Sequence, residues 1–368
     1  MKETITIASK PVFPKDNSSE IFLKLREKAF RLVDDLESKR KNTIIIKSIL
    51  FPLLYIGAYI SAIVWARIPF VFYGCYFIMG LMVMVIFINL IHDAVHHVLF
   101  HNKNLNNLFV YFFDLMGANS YAWKIRHTRL HHNYPNVMGW DSDIDQSPLA
   151  RVFPHGPFSR LHKYQHIYLP VLYFFYLLNW LLVRDFKDYF NRKRAIWKVV
   201  DIPKREFVKL FFFKTFFIFY MIAVPIIIGV GWLQAVAAFL LMVFTATFFS
   251  LLILLSPHAN VDHDFPLPNE RNILPQSWFM HQINHTNDVI HDNWFIRFFM
   301  GSFNYHVAHH LFPSIGHMYY PEVTQALKEV ANEEGLPYKS FTLLHTLMSH
   351  YRLLKSNRKV ENIFEETM

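Results

Sequence analysis

Long apolar stretches alternate along the chain with strongly charged ones. Residues 43–66 and 68–91 are apolar apart from Lys47 and a few small polar side chains, and only Arg67 lies between them. Each stretch exceeds the roughly 20 residues that cross the hydrocarbon core of a bilayer, so the pair predicts a hairpin of two membrane-spanning helices. Lys47 falls in the first turns of the first helix, where we expect its long side chain to reach the membrane interface.

A second apolar pair covers residues 211–230 and 232–255, with glycines at the break. It predicts a second hairpin and, with the first, four membrane spans. Residues 21–42 place Leu and Phe among charges at helical spacing, which predicts an amphipathic helix on the membrane surface. The expected domains are therefore an N-terminal segment 1–42, a membrane domain 43–320 and a polar helical tail 321–368.

Nine of the 21 histidines stand in three tight clusters on the flanks of apolar segments. Residues three or four apart share a helix face, so each cluster can direct its rings into one cavity. Imidazole suits iron, copper, zinc and nickel, and eight or more nitrogen ligands exceed the need of one ion, so we expect a dinuclear site. In the first cluster, helical spacing favours His96 over His97 as the partner of His92. The clusters are His92/His96/His97, His127/His131/His132 and His306/His309/His310.

The surroundings of the clusters favour iron over zinc. A substrate drawn from the bilayer would be an alkyl chain, which offers no group for a Lewis-acidic zinc ion to polarise. Breaking an unactivated C–H bond requires an oxidant made from O2, and redox-active iron can generate one. Cys75 is the single cysteine, so the chain holds neither a disulfide framework nor a thiolate-bound iron–sulfur cluster of its own. Any electrons that the reaction uses must therefore arrive by another route.

The apolar segment 167–183 decides the topology. If it crossed the membrane, the third histidine cluster would face the side opposite to the first two, so we interpret it as an interfacial or re-entrant helix. Basic segments precede both hairpins, and the N-terminus lacks a secretory signal. We therefore expect all three clusters on the cytosolic face. The formal charge of +9 fits a positive cytosolic surface near anionic lipid, and we expect no nucleic-acid partner.

The residues around the clusters resemble the three histidine boxes of membrane fatty acid desaturases. The matching segments are His92-Asp-Ala-Val-His-His97, Trp123 to Asn136 and Asn304 to Pro313. The stretch Gly139 to Asp145 resembles the acidic segment that follows the second box in bacterial enzymes of the linoleoyl-CoA, front-end type. The similarity extends over about residues 50–338. One difference is His306, where many front-end desaturases have Gln.

The resemblance implies an all-α integral membrane fold: four transmembrane helices in two hairpins, interfacial helices and a cytosolic helical cap that holds a di-iron centre. It implies O2-dependent insertion of a cis double bond into an acyl chain carried by coenzyme A or a lipid. It also implies one more ligand after the fourth span, for which we predict His258, with His263 and His281 as rivals. His281, His285 and His291 are otherwise interpreted as surface or supporting histidines, and five others receive no metal role: His101, His155, His162, His166 and His317.

Charged residues near the boxes have candidate roles. Metal-bound histidines usually donate their second ring nitrogen to an oxygen acceptor, which makes Asp93, Asp141, Asp143 and Asp145 candidate acceptors, although a solvated acidic loop explains them equally well. Basic side chains beside the second box are candidates for binding a phosphate or a lipid headgroup, although a generally positive face explains them nearly as well. They are Lys124, Arg126, Arg129 and Arg160.

Two other functions remain possible from the sequence. A hydroxylase would use the same metal centre, because hydroxylation and desaturation share the first hydrogen abstraction. A histidine-rich metal transporter is less favoured, because transporters place ionisable ligands within their spans. The chain contains no His-Pro-Gly-Gly haem motif, so we expect a separate ferredoxin or cytochrome b5 type donor to deliver electrons at the basic face.

Overall fold

The computed structural model describes residues 9–255 and 257–359, so the outer ends of the predicted N-terminal segment and C-terminal tail lie outside the described residues. The fold is mostly helical. Within these described ranges, five helical segments are long and apolar enough to cross a membrane: 40–64, 69–95, 160–198, 204–227 and 232–254. Four of them overlap the predicted spans, and the fifth contains the segment predicted to be interfacial.

The first helix, α1 (Ser18–Val64), is continuous over 47 residues, about 70 Å at 1.5 Å per residue. The predicted amphipathic helix over 21–42 forms the N-terminal part of α1 and runs into the first predicted span without a break. Leu25 and Ala29, in the charged half of α1, are fully buried in a cluster with residues of the C-terminal part of the chain, including Phe279 and Val307. The amphipathic face of this half therefore packs against protein.

A π-helical turn interrupts the second membrane helix just before the first histidine cluster. Helix α2 (Pro69–Ile86) runs into the π turn Phe87–Ile91 and then into the short helix α3 (His92–Val95). Such turns are frequently found at functional sites. This one leads directly to His92.

Residues 103–198 form short helices between the two hairpins. Helices α4 (Lys103–Leu115) and α5 (Ser120–Ile125) lead into a second π turn, Arg126–His131, which carries part of the second cluster. The apolar segment 160–198 is repeatedly broken. It contains α6 (Gln165–Leu172), α7 (Tyr176–Asn179), a third π turn and α8 (Asp185–Phe190); the π turn is Trp180–Arg184, and 3-10 turns lie at Arg160–Tyr164, Tyr173–Phe175 and Ala195–Lys198.

The second hairpin consists of α9 (Lys204–Ile218), a π turn (Phe219–Ala223), α10 (Val224–Ile227) and α11 (Trp232–Leu254). Helix α11 packs closely against α2. A Cβ atom on Gly80 of α2 would lie 2.5 Å from the carbonyl oxygen of Met242. Only glycine permits this approach of the two backbones.

The C-terminal third, called the cap below, consists mainly of short helices, some of which pack against α1. It contains α12 (Trp278–Asn284), α13 (Trp294–Phe299), α14 (His306–Leu311), α15 (Tyr320–Glu334) and α16 (Leu343–Ser356). A 3-10 turn, His317–Tyr319, precedes α15. Two short parallel strands, β1 (Asp288–Val289) and β2 (Ser340–Phe341), join the cap internally.

Candidate metal centre

The first cluster separates its three histidines. His92 and His96 lie one helical turn apart, with ring centroids 5.0 Å apart. His97 lies just after the end of α3 and has a φ of 61°. The backbone therefore leaves the helical path at His97, and its ring does not follow those of His92 and His96. The His97 Nε2 atom lies 3.1 Å from the Lys124 ammonium nitrogen. His92 and His96 therefore reach the shared cavity, whereas His97 lies beside a cation.

The second cluster is held by an acidic loop. The His131 Nδ1 atom lies 2.9 Å from a carboxylate oxygen of Asp141, and the His127 Nδ1 atom lies 3.2 Å from one of Asp143. Asp141 also accepts backbone hydrogen bonds from Asn136, Asp143 and Ile144. The loop is thus folded around the carboxylate that orients His131.

The third cluster lies on α14 and meets His258. The His258 and His306 Nε2 atoms are 2.9 Å apart, and the His258 Nδ1 atom lies 2.9 Å from the carbonyl oxygen of His285. His309 and His310 are fully buried. Their Nδ1 atoms each lie 3.0 Å from an oxygen, the hydroxyl of Tyr320 for His309 and the amide oxygen of Gln282 for His310.

The histidines form two groups of four. Within each group, one nitrogen from every ring lies within 4.8 Å of those of the other rings, and no histidine belongs to both groups. His132 makes a further group with His309 and His310, so it lies between the two sets. The first group is His92, His96, His127 and His309, and the second is His131, His258, His306 and His310.

The hydrogen bonds fix the direction of several nitrogen lone pairs. The acceptors of His127, His131 and His258 are carboxylates or a carbonyl, which cannot donate, so the Nδ1 atom of each of these rings must carry the proton. Their Nε2 lone pairs then point toward other imidazoles. The Nε2 atom of His92 lies 3.1 Å from those of both His127 and His309. Converging lone pairs repel one another unless a cation lies between them, so the site fits metal ions.

Burial lowers the pKa of most of these rings and so favours their neutral form, whereas Asp141 raises the pKa of His131. Burial lowers the pKa of His258, His306 and His310 well below the usual value, and the neighbouring imidazoles lower it further. The Nε2 atoms of His96 and His310 are buried without a hydrogen-bond partner. Neutral imidazoles with free lone pairs are the form that binds a metal.

The four candidate aspartates occupy different positions. Asp141 and Asp143 contact box histidines directly. Asp93 lies 3.7 Å from the Nδ1 atom of His92 and accepts hydrogen bonds from the ring and the backbone N–H of His317. Asp145 is exposed, and none of the hydrogen bonds of the described box histidines involves its carboxylate.

A buried lysine supports the first cluster from the membrane side. Lys47 was expected to reach the interface, and this prediction is wrong, because its side chain is fully buried. Its ammonium nitrogen lies 2.8 Å from Asn89 Oδ1, 3.1 Å from the carbonyl oxygen of Arg297 and 3.0 Å from His317 Nε2. His317, which received no metal role from the sequence, thus connects Lys47 to Asp93.

His263, His281 and His285 are buried beside the two groups of four but do not belong to them. The His263 Nδ1 and Nε2 atoms contact Asn284 and Asn287, and the His281 Nε2 atom lies 2.9 Å from the carbonyl oxygen of Pro135. His285 is buried and supports His258 through its backbone carbonyl. Sequence reasoning missed Tyr320 and Gln282, because a single tyrosine or glutamine carries no spacing signal.

The basic headgroup candidates differ in exposure. Arg129 and Arg160 are exposed, and Lys124 is half-buried beside His97. Arg126 is fully buried and pairs with Asp188 and Asp185. The prediction that it binds a headgroup is therefore wrong, because its charge is already balanced inside the protein.

Two cavities adjoin the centre. The larger, about 270 Å³, is lined by apolar residues, mostly of 144–180 and 251–259, and by six histidines. These are four box histidines (His92, His127, His131 and His306), His258 and His350. The smaller, about 70 Å³, is almost wholly apolar and lies among α2, α4, α9 and α11. Phe87, Trp180 and Leu254 line both. An acyl chain would match this lining.

The sequence matches the model of a known protein family. The family model described as fatty acid desaturase matches residues 66–342, which contain all three clusters and His258. The sn-1 linoleoyl-lipid 6-desaturase of Synechocystis sp. is 26% identical over 84% of this chain and 82% of its own length. The enzyme of the same name from Arthrospira platensis is 29% identical over 77% and 76%. An acyl-lipid (8-3)-desaturase of Physcomitrium patens is 29% identical over 84% and 65%.

Proposed function

This chain belongs to the fatty acid desaturase family, and from that membership we propose that it inserts a cis double bond into a lipid-linked acyl chain at a histidine-bound di-iron centre. The resemblance inferred from the boxes is confirmed, and the protein is a fatty acyl desaturase. The metal ligands, the number of spans, the sidedness and the acyl carrier are the parts that we propose.

The two groups of four histidines carry the di-iron proposal. We assign His92, His96, His127 and His309 to one iron and His131, His258, His306 and His310 to the other, with His132 adjacent to both. His97 is left out, because its ring lies beside Lys124. The fixed Nδ1 protons of His127, His131 and His258 support this assignment, since they leave each Nε2 atom free to bind.

The residues of the chain orient the reactants and exclude water. Two irons bound here, when reduced, would supply from O2 the oxidant that removes two hydrogens from adjacent carbons. Asp141, Asp143 and Tyr320 hold the imidazoles against rotation. Aromatic side chains line the same cavity as the histidines, namely those of Phe87, Trp123 and Phe303. An alkyl chain held there would place its C–C bonds beside the metal-facing nitrogens.

We propose a lipid-linked substrate that enters from the bilayer. Leu149, Leu172 and Phe175 line the larger cavity and are also exposed to the outside. An apolar, outward-facing entrance suits a chain that is already in the membrane. The relatives named acyl-lipid or linoleoyl-lipid desaturases support the same carrier. For the headgroup we propose the exposed Arg160, with Lys124 and Arg129 as further cationic contacts.

Four spans, rather than five, are proposed for the membrane domain, 43–320. His92, soon after α2, and His258, just after α11, line the same cavity, so both spans end on one side. Because α9 is antiparallel to α11, it starts on that side too. The segment 160–198 must then return to the side from which it began. The residues His162 and Arg184, which flank its apolar stretch 167–183, both contact one loop, at Pro148 and Gln146 respectively, and these contacts support the return.

The side that carries the histidines is proposed to be cytosolic. Basic segments precede both hairpins, in accordance with the positive-inside rule. A separate ferredoxin or cytochrome b5 type protein is proposed to deliver electrons at this positive face. The N-terminal segment 1–42 and the tail 321–368 would complete the cytosolic cap, as the packing of α1 against α15 supports.

The test is expression in a desaturase-deficient host, followed by fatty-acid profiling with localisation of double bonds. We expect new cis double bonds from the unchanged protein and none from His309→Ala. Hydroxy fatty acids without new alkenes would instead identify a hydroxylase. Matched amounts of both proteins in the membrane fraction are the control.

A further inference from the structure

Trp180 stands between the two cavities. Its indole lines both the histidine-bearing cavity and the apolar pocket, and only 7% of the residue is exposed. Ala246 and Met242 line only the apolar pocket. A chain that passes the histidines and continues inward must therefore pass the indole.

The indole is held from several directions. The guanidinium carbons of Arg126 and Arg184 lie 5.1 and 5.2 Å from the ring, within the range of cation–π attraction. The indole N–H donates a hydrogen bond of 2.9 Å to Asp185. Trp180 is also the first residue of the π turn Trp180–Arg184. A side chain restrained in this way has little freedom to move aside.

Buried ion pairs make the restraint stiff. Arg126 pairs with Asp188, and the Lys214 ammonium group of α9 lies 2.6 Å from the second carboxylate oxygen of Asp185. Arg184 donates hydrogen bonds to Gln146 and to the carbonyl oxygen of Ser142. Removing one member of such a buried network leaves an uncompensated charge, so its geometry is strongly favoured.

The same network contacts the metal centre. Asp143 lies 3.6 Å from the Arg184 guanidinium and 3.2 Å from the His127 Nδ1 atom. Arg126 is the residue directly before His127. The position of the indole is therefore fixed relative to the histidines rather than merely near them.

We propose that Trp180 determines which carbons of the acyl chain reach the histidines. The methyl end of the chain passes the indole into the apolar pocket. Because the indole narrows this passage, it limits the length of chain that enters the pocket. This inference rests on the proposed acyl substrate. A smaller residue at position 180 would admit the chain further and bring carbons closer to the carboxyl end to the metal-facing nitrogens.

The test feeds saturated and monounsaturated acyl chains of graded length to a desaturase-deficient host that expresses Trp180→Leu or Trp180→Phe. For Trp180→Leu we expect the share of products with the double bond nearer the carboxyl end to rise at least tenfold. A change of one methylene group in an apolar pocket alters the selectivity of an enzyme by about 10- to 200-fold. Trp180→Phe should show a smaller shift. Trp65→Leu, at a tryptophan directly after α1 that is 56% exposed, is the matched control.

A second variant tests the pocket without touching the ion pairs. Ala246→Leu should reduce desaturation of the longest accepted chains about tenfold relative to shorter ones, whereas Ala237→Leu, at an exposed alanine of the same helix, should not. Unchanged double-bond position in active Trp180→Leu overturns the proposal. If the Trp180 variants do not accumulate, an unchanged chain-length preference in Ala246→Leu overturns it. Absence of new alkenes from the unchanged protein would instead refute the proposed function.

Discussion

The ammonium group of Lys47 lies 3.0 Å from the Nε2 atom of His317, although 270 positions separate them along the chain. His317 in turn donates from Nδ1 to Asp93 at 2.8 Å, and Asp93 adjoins His92. A cation in the first membrane helix thereby supports the first histidine cluster. Ionisable residues within membrane helices are rare and usually functional.

Removing this cation should weaken metal binding. Lys47→Met leaves His317 without its donor, so Asp93 and the His92 ring lose restraint. We expect the iron affinity of the purified protein to fall about 10- to 100-fold, as is typical when a supporting hydrogen-bond partner is lost. Iron retained during titration with a chelator measures it. Lys41→Met, at an exposed lysine of the same helix, is the control, and equal iron retention in both variants would contradict the prediction.

Asp141 should matter more than Asp145. In Asp141→Asn the amide can no longer accept from every donor that the carboxylate serves, and the His131 ring loses its orientation. We expect about a 10- to 100-fold loss of iron affinity with a matching loss of double-bond yield. Asp145→Asn should behave as the unchanged protein, because its side chain is exposed. The prediction fails if the two variants are indistinguishable.

His258 should be required and His263 should not. The His258 Nε2 atom meets His306, whereas both nitrogens of His263 already contact asparagines. We expect His258→Ala to lower iron content from two ions toward one per chain and to abolish desaturation. His263→Ala should keep both ions. Metal analysis of detergent-purified protein distinguishes the two, and full iron content in His258→Ala would remove this residue from the ligand set.

The metal-free protein should lose stability in acid. Burial lowers the folded-state pKa of His258, His306, His309 and His310, so below about pH 6.5 the unfolded state binds protons first. Stability is then complete above pH 6.5 and falls as the pH decreases, by about 1.4 kcal/mol per pH unit for each such group. His131 acts oppositely, since Asp141 raises its pKa despite burial.

Thermal melting of the chelated protein between pH 7.5 and pH 5.5 measures this effect. Replacing His306 by Gln removes one of the groups and should flatten the dependence. A melting temperature that stays constant or rises on acidification would contradict the prediction.

Local patterns predicted the hairpins and the pairing of His92 with His96, because hydropathy and helical spacing are properties of neighbouring residues. They failed for α1, whose charges suggested a surface helix, since the packing partners of Leu25 and Ala29 lie in the distant cap. The burial of Lys47 was missed for the same reason. Its partners Asn89, Arg297 and His317 come from three separate segments.

The residues of the candidate site likewise fall into those that local sequence patterns identified and those that they did not. The histidines were visible as clusters, and Asp141 and Asp143 were visible because they follow the second box closely. No local sequence pattern indicated three other residues, because their contacts form only when distant helices meet. They are Gln282, Tyr320 and Trp180. Arg126 was misinterpreted because a basic residue beside a box looks the same in sequence whether it faces solvent or a buried carboxylate.

The π turn Phe87–Ile91 lies between two parts of one helix that have different functions. Up to Ile86 the helix must present apolar side chains to its neighbours and to lipid, whereas from His92 it must present imidazoles to the metal cavity. One residue turns an α-helix by about 100°, and a π turn accommodates one residue more than the α turn it replaces. The extra residue lets the two faces be oriented independently.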